Sequence, residues 1–169
     1  MLKQAVLDKL NDQLAKEAYS AYLYYSMAGY FESMNLKGFA NWMLIQAQEE
    51  MTHMHKLFNY INDRGAQAVL QQVAQPPHTW DSVEACVAKT YEHECMISEA
   101  ISECVTLAIK ENDHPTNTML QWFVTEQVEE EANADDLLQK VRMIGDNSSG
   151  LYLLDNELSR RTFVNETEG

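Results

Sequence analysis

Residues 48–53 read Gln48-Glu49-Glu50-Met51-Thr52-His53. Around them Met43, Ala47, Met54, Leu57 and Ile61 recur three or four apart, the spacing of an amphipathic helix. Glu50 falls on that seam, with His53 beside it one turn later, so both project from one face. A Glu-x-x-His pair facing a bundle core is half of the donor set with which four-helix bundles hold two iron or manganese ions. The other half has to come from other helices at the same depth.

Three more seams supply it. A first helix, expected from about Gln4 to Met34, carries Leu10, Leu14, Glu17, Ala21, Tyr24, Ala28 and Phe31 at alternating spacings of four and three. Asn35 and Gly38 mark a turn into the second helix, expected from about Phe39 to Arg64 and ended by Gly65. A third helix starts near Asp81-Ser82 and stops near Asn112, before Asp113-His114-Pro115. Its seam is Val83, Val87, Thr90, Glu94, Ile97, Ile101, Cys104 and Ala108. The fourth helix carries Leu120, Phe123, Gln127, Glu130, Ala134, Leu137, Val141 and Ile144, and the run from Gly145 to Gly150 ends it.

Every seam has its polar interruption near the middle. Glu17 lies 33 residues before Glu50, and Glu94 lies 33 before Gln127, with His53 and Glu130 one turn further on. The chain is two copies of one hairpin, and in each antiparallel pair the polar groups meet at nearly one level. Four carboxylates buried together repel one another and lose hydration unless protonated or bound to cations. No Lys or Arg sits in the seams, so the set points to metal. Carboxylates with one imidazole favour iron or manganese, with Zn²⁺ as a competitor. Glu50, central to the set, is placed to bridge two ions. Tyr24 lies seven residues after Glu17 on the same face, within reach of a ligand. Glu49, Glu126, Glu129 and Glu130 form a second acidic cluster beside the first, with Trp122 one turn before Glu126.

Residues 65–82 lack a helical period and contain Pro76-Pro77. Eighteen extended residues reach roughly 60 Å, and a 30-residue helix is roughly 45 Å long. The segment therefore suffices for one long crossover between the second and third helices, and the expected fold is an all-α four-helix bundle of that kind. Residues 151–160 form a short fifth helix with Leu151, Leu154 and Leu158 on one stripe, too short to stand without a surface to pack on. Thr162 to Gly169 is a polar tail. The whole is expected to be one domain, 1–169, with the bundle over about 4–145.

The net charge of −14, from 26 acidic against 12 basic residues, argues against nucleic acid and anionic membranes as partners and for cations. No stretch has a signal core or the length of a membrane span, so a cytoplasmic location is expected. Cys86, Cys95 and Cys104 are nine apart, which turns neighbouring thiols to opposite sides of a helix. They form neither a metal cluster nor a disulfide set.

With these features in place, the chain resembles the bacterial non-heme ferritins over nearly its whole length. The specific marks are the seams, residues 48–54, Glu126-Gln127-x-Glu129-Glu130, and Gly150-Leu151-Tyr152 at the entry to the fifth helix. The resemblance implies a ferroxidase that oxidises Fe(II) with dioxygen or hydrogen peroxide and stores ferric mineral in a hollow homo-oligomeric shell of 24 subunits. It implies that Glu17, Glu50 and His53 hold a first iron, and Glu50, Glu94 and Glu130 a second, with Gln127 hydrogen-bonding nearby. Glu49, Glu126, Glu129 and Glu130 match a third iron site. Bacterioferritin repeats Glu-x-x-His on its fourth helix where this chain has Gln127-Val128-Glu129-Glu130, and no heme is expected. The rival reading is a carboxylate-bridged di-metal oxidase or oxygenase for an organic substrate. It needs an apolar pocket beside the metals, where this chain has further carboxylates.

Overall fold

The structure, a computed structural model, describes residues 2–165. Five helices and no strand are found among them: α1 (Gln4–Ser33), α2 (Lys37–Asp63), α3 (Val83–Lys110), α4 (His114–Ile144) and α5 (Ser148–Leu158). Each hairpin closes on an Asn in the left-handed region, Asn35 at φ 60° and Asn112 at φ 56°, a conformation Asn tolerates better than most residues. Both turns carry the same pair of terminal bonds. Leu36 N–H donates to Phe31 O and Asn35 N–H to Glu32 O, and Asp113 N–H donates to Ala108 O and Asn112 N–H to Ile109 O. This six-to-one and five-to-two pattern satisfies the last carbonyls of α1 and α3. Gly65, at φ 73°, closes α2 the same way.

Helix α3 starts at Ser82 as expected, and Asp113, expected only as a breaker after α3, also caps α4. Ser82 accepts from Ala85 N–H, and Asp113 accepts from Thr116 N–H, with Pro115 in the first turn of α4, where its missing N–H costs nothing. The fifth helix differs from expectation by starting at Ser148 and ending at Leu158. The cause is Asn147, whose side chain accepts from Ser149 and Gly150 N–H at 3.1 Å and draws the supposed turn residues into the helix. Residues 161–165 have no regular structure, and the rest of the expected tail, 166–169, lies outside the described residues.

Residues 66–82 run along α1. Val69 N–H donates to Asn11, Gln71 to Asp12, Ser26 to the Pro77 carbonyl and Tyr30 to the Trp80 carbonyl. These anchors progress from the start of α1 to its end, so the segment traverses the bundle and α3 begins where α2 began. The core is split in two. One apolar cluster centres on Tyr24, Phe31, Phe39 and Met43, the other on Leu14, Leu57, Ile101 and Phe123. The polar level of all four seams lies between them.

Helix α2 begins without a side-chain cap of its own. Asp155 on α5 provides one, accepting from Gly38 N–H at 2.8 Å and Phe39 N–H at 3.0 Å. A methyl group on Gly38 would lie 1.6 Å from the Asp155 carbonyl oxygen, so only glycine permits this approach. Asp155→Ala should cost about 1 kcal/mol of stability, the usual worth of an N-cap. Hydrogen exchange should then quicken at residues 37–40 and 148–158. Gly38→Ala should cost more, because it displaces α5 backbone, and both effects are readable by thermal unfolding with exchange mass spectrometry.

Candidate metal centre

The seam residues meet as their spacing requires. Glu17, Glu50, His53, Glu94, Gln127 and Glu130 are all buried, none more than 4% exposed. Glu17, Glu50 and His53 each offer a donor atom within 4.8 Å of the others, and His53, Glu126 and Glu130 form a second such group. His53 thus stands between the two. Its Nδ1 is 3.3 Å from Glu50 Oε2 and its Nε2 is 4.0 Å from Glu126 Oε1. The ring is packed edge-on against Trp122 and Phe123. Lys56 lies over the other part of this wall, with its Nζ 4.3 Å from the Trp122 ring centre.

Several of these atoms are buried and, while the acids are ionised, meet no donor: Glu17 Oε2, both oxygens of Glu50, Gln13 Oε1 and His53 Nδ1. Only a proton held by Glu50 lets it bond Glu17. The close Glu50–His53 approach lacks hydrogen-bond geometry and does not change this. Unsatisfied buried carboxylate oxygens are costly, and oxygens plus one imidazole nitrogen converging on one volume are the donor set of a hard or borderline divalent cation. The residues present therefore fit a metal ion on their chemistry.

The remaining members are held by side chains rather than left open. Glu94 accepts from the Tyr24 hydroxyl on one oxygen and from Gln127 Nε2, at 3.2 Å, on the other. Glu17 accepts from Gln13 at 2.8 Å, and Glu130 accepts from Gln46 Nε2 at 2.7 Å. Gln13 and Gln46 were not singled out from the sequence. The signal was present, since each lies four residues before a seam Glu and the two are 33 apart, in step with Glu17 and Glu50. His93 was missed as well. It is buried beside Glu94, with Nε2 2.8 Å from Ser20 Oγ, and stands edge-on to the Tyr24 ring, fixing the phenol from behind.

Titration follows from this crowding. Burial, then the charges of Glu94 and Glu17, hold the Glu50 carboxyl well above the carboxylate range. Burial raises Glu17, and burial with the Glu130 charge pushes Glu94 up to about 8. Burial depresses His53 to about 4, which leaves a neutral imidazole able to ligate. Tyr24 stays a protonated donor, because burial and the Glu94 charge both oppose phenolate. Without metal, the centre holds protons in place of cations.

The second acidic cluster is less closely assembled. Glu126 turns toward His53, Glu129 is exposed, and Glu49 is engaged by Arg161, whose Nη2 lies 2.8 and 3.1 Å from its two oxygens.

Comparison with known proteins agrees with the fold. Residues 7–144 match the family model described as a ferritin-like domain. The chain belongs to the ferritin family. It is 38% identical over 159 residues to the bacterial non-heme ferritin of Escherichia coli, covering 94% of this chain and 96% of that one. It is 37% identical over 166 residues to the bacterial non-heme ferritin of Staphylococcus aureus, covering 98% and 100%. The open-pore ferritin of the archaeon Archaeoglobus fulgidus superposes with a TM-score of 0.95 at 46% identity, over 96% of this chain and 100% of that one. Iron storage, with oxidation of Fe(II) as its enzymatic step, is the function that this ferritin membership carries.

One consequence for the metal-free protein follows from the raised carboxyls. A carboxyl whose folded pKa exceeds its unfolded value favours the fold only while protonated. Its contribution is full below the unfolded value and is lost as pH rises through the folded one. For Glu94 that window runs from the ordinary 4.5 to about 8. Glu94→Gln keeps an acceptor for Tyr24 and removes the charge. It should raise the melting temperature of the metal-free protein at pH 8, by about 2–4 °C for each kcal/mol relieved, with little gain at pH 5. A lower melting temperature at pH 8 would identify Glu94 as a stabilising structural anion.

Proposed function

We propose that this ferritin oxidises Fe(II) at an intrasubunit two-ion centre, with Glu17, Glu50 and His53 on the first ion and Glu50, Glu94 and Glu130 around the second. The observation that supports it best is the group of buried, unbonded donor atoms on Glu17, Glu50 and His53. Glu50 is the bridge in this reading. Its carboxyl feels the charges of Glu94, Glu17 and Glu130 at once, as a group central to the set must. Tyr24 and Gln127 position Glu94, while Gln13 and Gln46 position Glu17 and Glu130. Binding of the ions expels the protons that the metal-free carboxyls hold. Two Fe(II) then give one electron each to dioxygen, which takes up two protons and leaves as hydrogen peroxide. With peroxide as the oxidant, the same two electrons and two protons yield two waters.

A third ion beside this pair is assigned to Glu126 and Glu129, with Glu49 and Glu130 as further donors. Ferric product accumulates inside a hollow shell of this one chain, for which we take the 24-subunit form. The outer face of α5 supports an assembly, since Tyr152 and Leu153 are about two-thirds exposed on a helix whose other side is already packed. A cytoplasmic setting accords with three free thiols, since such thiols persist in reducing compartments. Among the described residues no helix is long and apolar enough to cross a membrane.

The two cavities of 610 and 450 Å³, lined by Met51, Lys56 and Tyr60 and by Lys16, Tyr19 and His93, touch none of the seam acids. The one that reaches Gln127 is smaller, 240 Å³, which disfavours the rival organic-substrate oxidase.

The test is stopped-flow Fe(II) oxidation on assembled protein, with particle mass checked by light scattering. Loss of a supporting residue at a metal site costs roughly 10–100-fold. His53→Ala, which strips one ion, should reach that range, and Glu50→Ala, which strips both, should exceed it. A Glu50→Ala rate equal to wild type would remove the assignment, and a stable monomer would count against storage.

A further inference from the structure

Arg161 lies three residues beyond the end of α5, yet its side chain reaches the acidic cluster next to the metal centre. Both Glu49 oxygens accept from Nη2, at 2.8 and 3.1 Å. Nη1 donates to Gln46 Oε1 at 2.5 Å and to the Trp42 carbonyl at 3.4 Å, and the guanidinium carbon is 4.9 Å from the Trp42 ring centre. The backbone is pinned too, since Asn41 Nδ2 donates to the carbonyls of Leu158 and Arg161 at 3.1 and 3.0 Å. Arg161 and Glu49 are both largely shielded, with side chains 23% and 16% exposed. A guanidinium held by several contacts against a partly shielded carboxylate is a charge-assisted pair, stronger than a mobile surface pair.

The contact also reaches the centre itself. Gln46 must turn its amide oxygen to Arg161, which leaves its nitrogen for Glu130 Oε2 at 2.7 Å. Arg161 thereby sets the amide's polarity and, through it, the orientation of a ligand assigned to the second ion.

We propose that Arg161 is a built-in cation that occupies Glu49 in the metal-free protein. A third ferrous ion then gains Glu49 only when the segment after α5 releases it. This rests on the two-ion reading of the centre. The guanidinium and the ion compete for one carboxylate, and Arg161 holds the outer cluster weak while the buried pair binds tightly. The chain therefore runs as a two-ion oxidase at low iron and recruits the third position at high iron.

Zn(II), which fills such sites without being oxidised, is the probe. Calorimetric titration of the assembled wild-type protein should show two tight ions per subunit and a third weaker by at least about tenfold, or about 1.4 kcal/mol. Arg161→Gln should tighten the third by a similar factor while the first ion, on Glu17, Glu50 and His53, which neither Arg161 nor Gln46 touches, binds as in wild type. Adding Glu49→Gln to that variant should abolish the gain. Two tight ions with an unaltered third in Arg161→Gln would overturn the inference alone, whereas no tight ions in wild type would overturn the two-ion reading and this inference with it. Wild-type crystals at raised Zn(II) give a check that needs no variant. An ion on Glu49 should be accompanied by departure of the Arg161 guanidinium, and an ion there beside an undisturbed guanidinium would contradict the proposal.

Discussion

The structure depends on one costly choice, the burial of several carboxylates at a single level of a helical core. Glu17, Glu50, Glu94 and Glu130 are each almost fully shielded, and the apolar core is divided into two clusters around them. In water such groups would be ionised and hydrated; here they are crowded and dehydrated, and Glu17, Glu50 and Glu94 are driven toward the protonated form. That arrangement makes the metal-free centre costly, with protons on its acids, and it offers a divalent cation donor atoms already gathered. Buried polar groups that cost stability are expected where function requires them.

The rest of the fold supports this level. The two hairpins are built alike, closed by left-handed asparagines, and the long strap along α1 sets α3 parallel to α2 so that both hairpins present their acids at one height. Amide and phenol side chains then fix the acids individually, Gln13 on Glu17, Gln46 on Glu130, and Tyr24 with Gln127 on Glu94. The short α5 is tied back to α2 by Asp155 at its first turn and by Arg161 alongside Glu49. The C-terminal region thus holds both the start of α2 and the acidic cluster beside Glu50 and His53.

What was legible in the sequence was periodic. Four seams, the 33-residue repeat, Asn35 at the first turn, Gly65 at the end of α2, the crossover and the seam acids all follow from the sequence, whereas Gly38, expected in the turn, lies inside α2, which starts at Lys37. Where period alone decided, small errors arose. The second seam was drawn through Met54 with His53 beside it, but His53 is the buried residue and Met54 is only partly covered, as expected when a 3.5-residue seam drifts against a 3.6-residue helix. The start of α5 was missed because a capping Asn147 looks the same as a turn residue in sequence. Arg161 on Glu49 and Asp155 on Gly38 were not legible at all. Their partners are 112 and 117 residues away, and a polar contact across that distance leaves no local pattern.

The central claim is that the buried acids exist to hold ions, and locating the ions tests it most directly. Crystals of the assembled protein, exposed anaerobically to Fe(II) and measured on both sides of the iron absorption edge, would show where iron goes first. The account predicts anomalous density in the bundle interior, bounded by Glu17, Glu50 and His53 and extending toward Glu94 and Glu130, with Glu50 touching both positions. Iron confined to exposed surface carboxylates, with the seam acids still bonded only to one another and their amide partners, would contradict it.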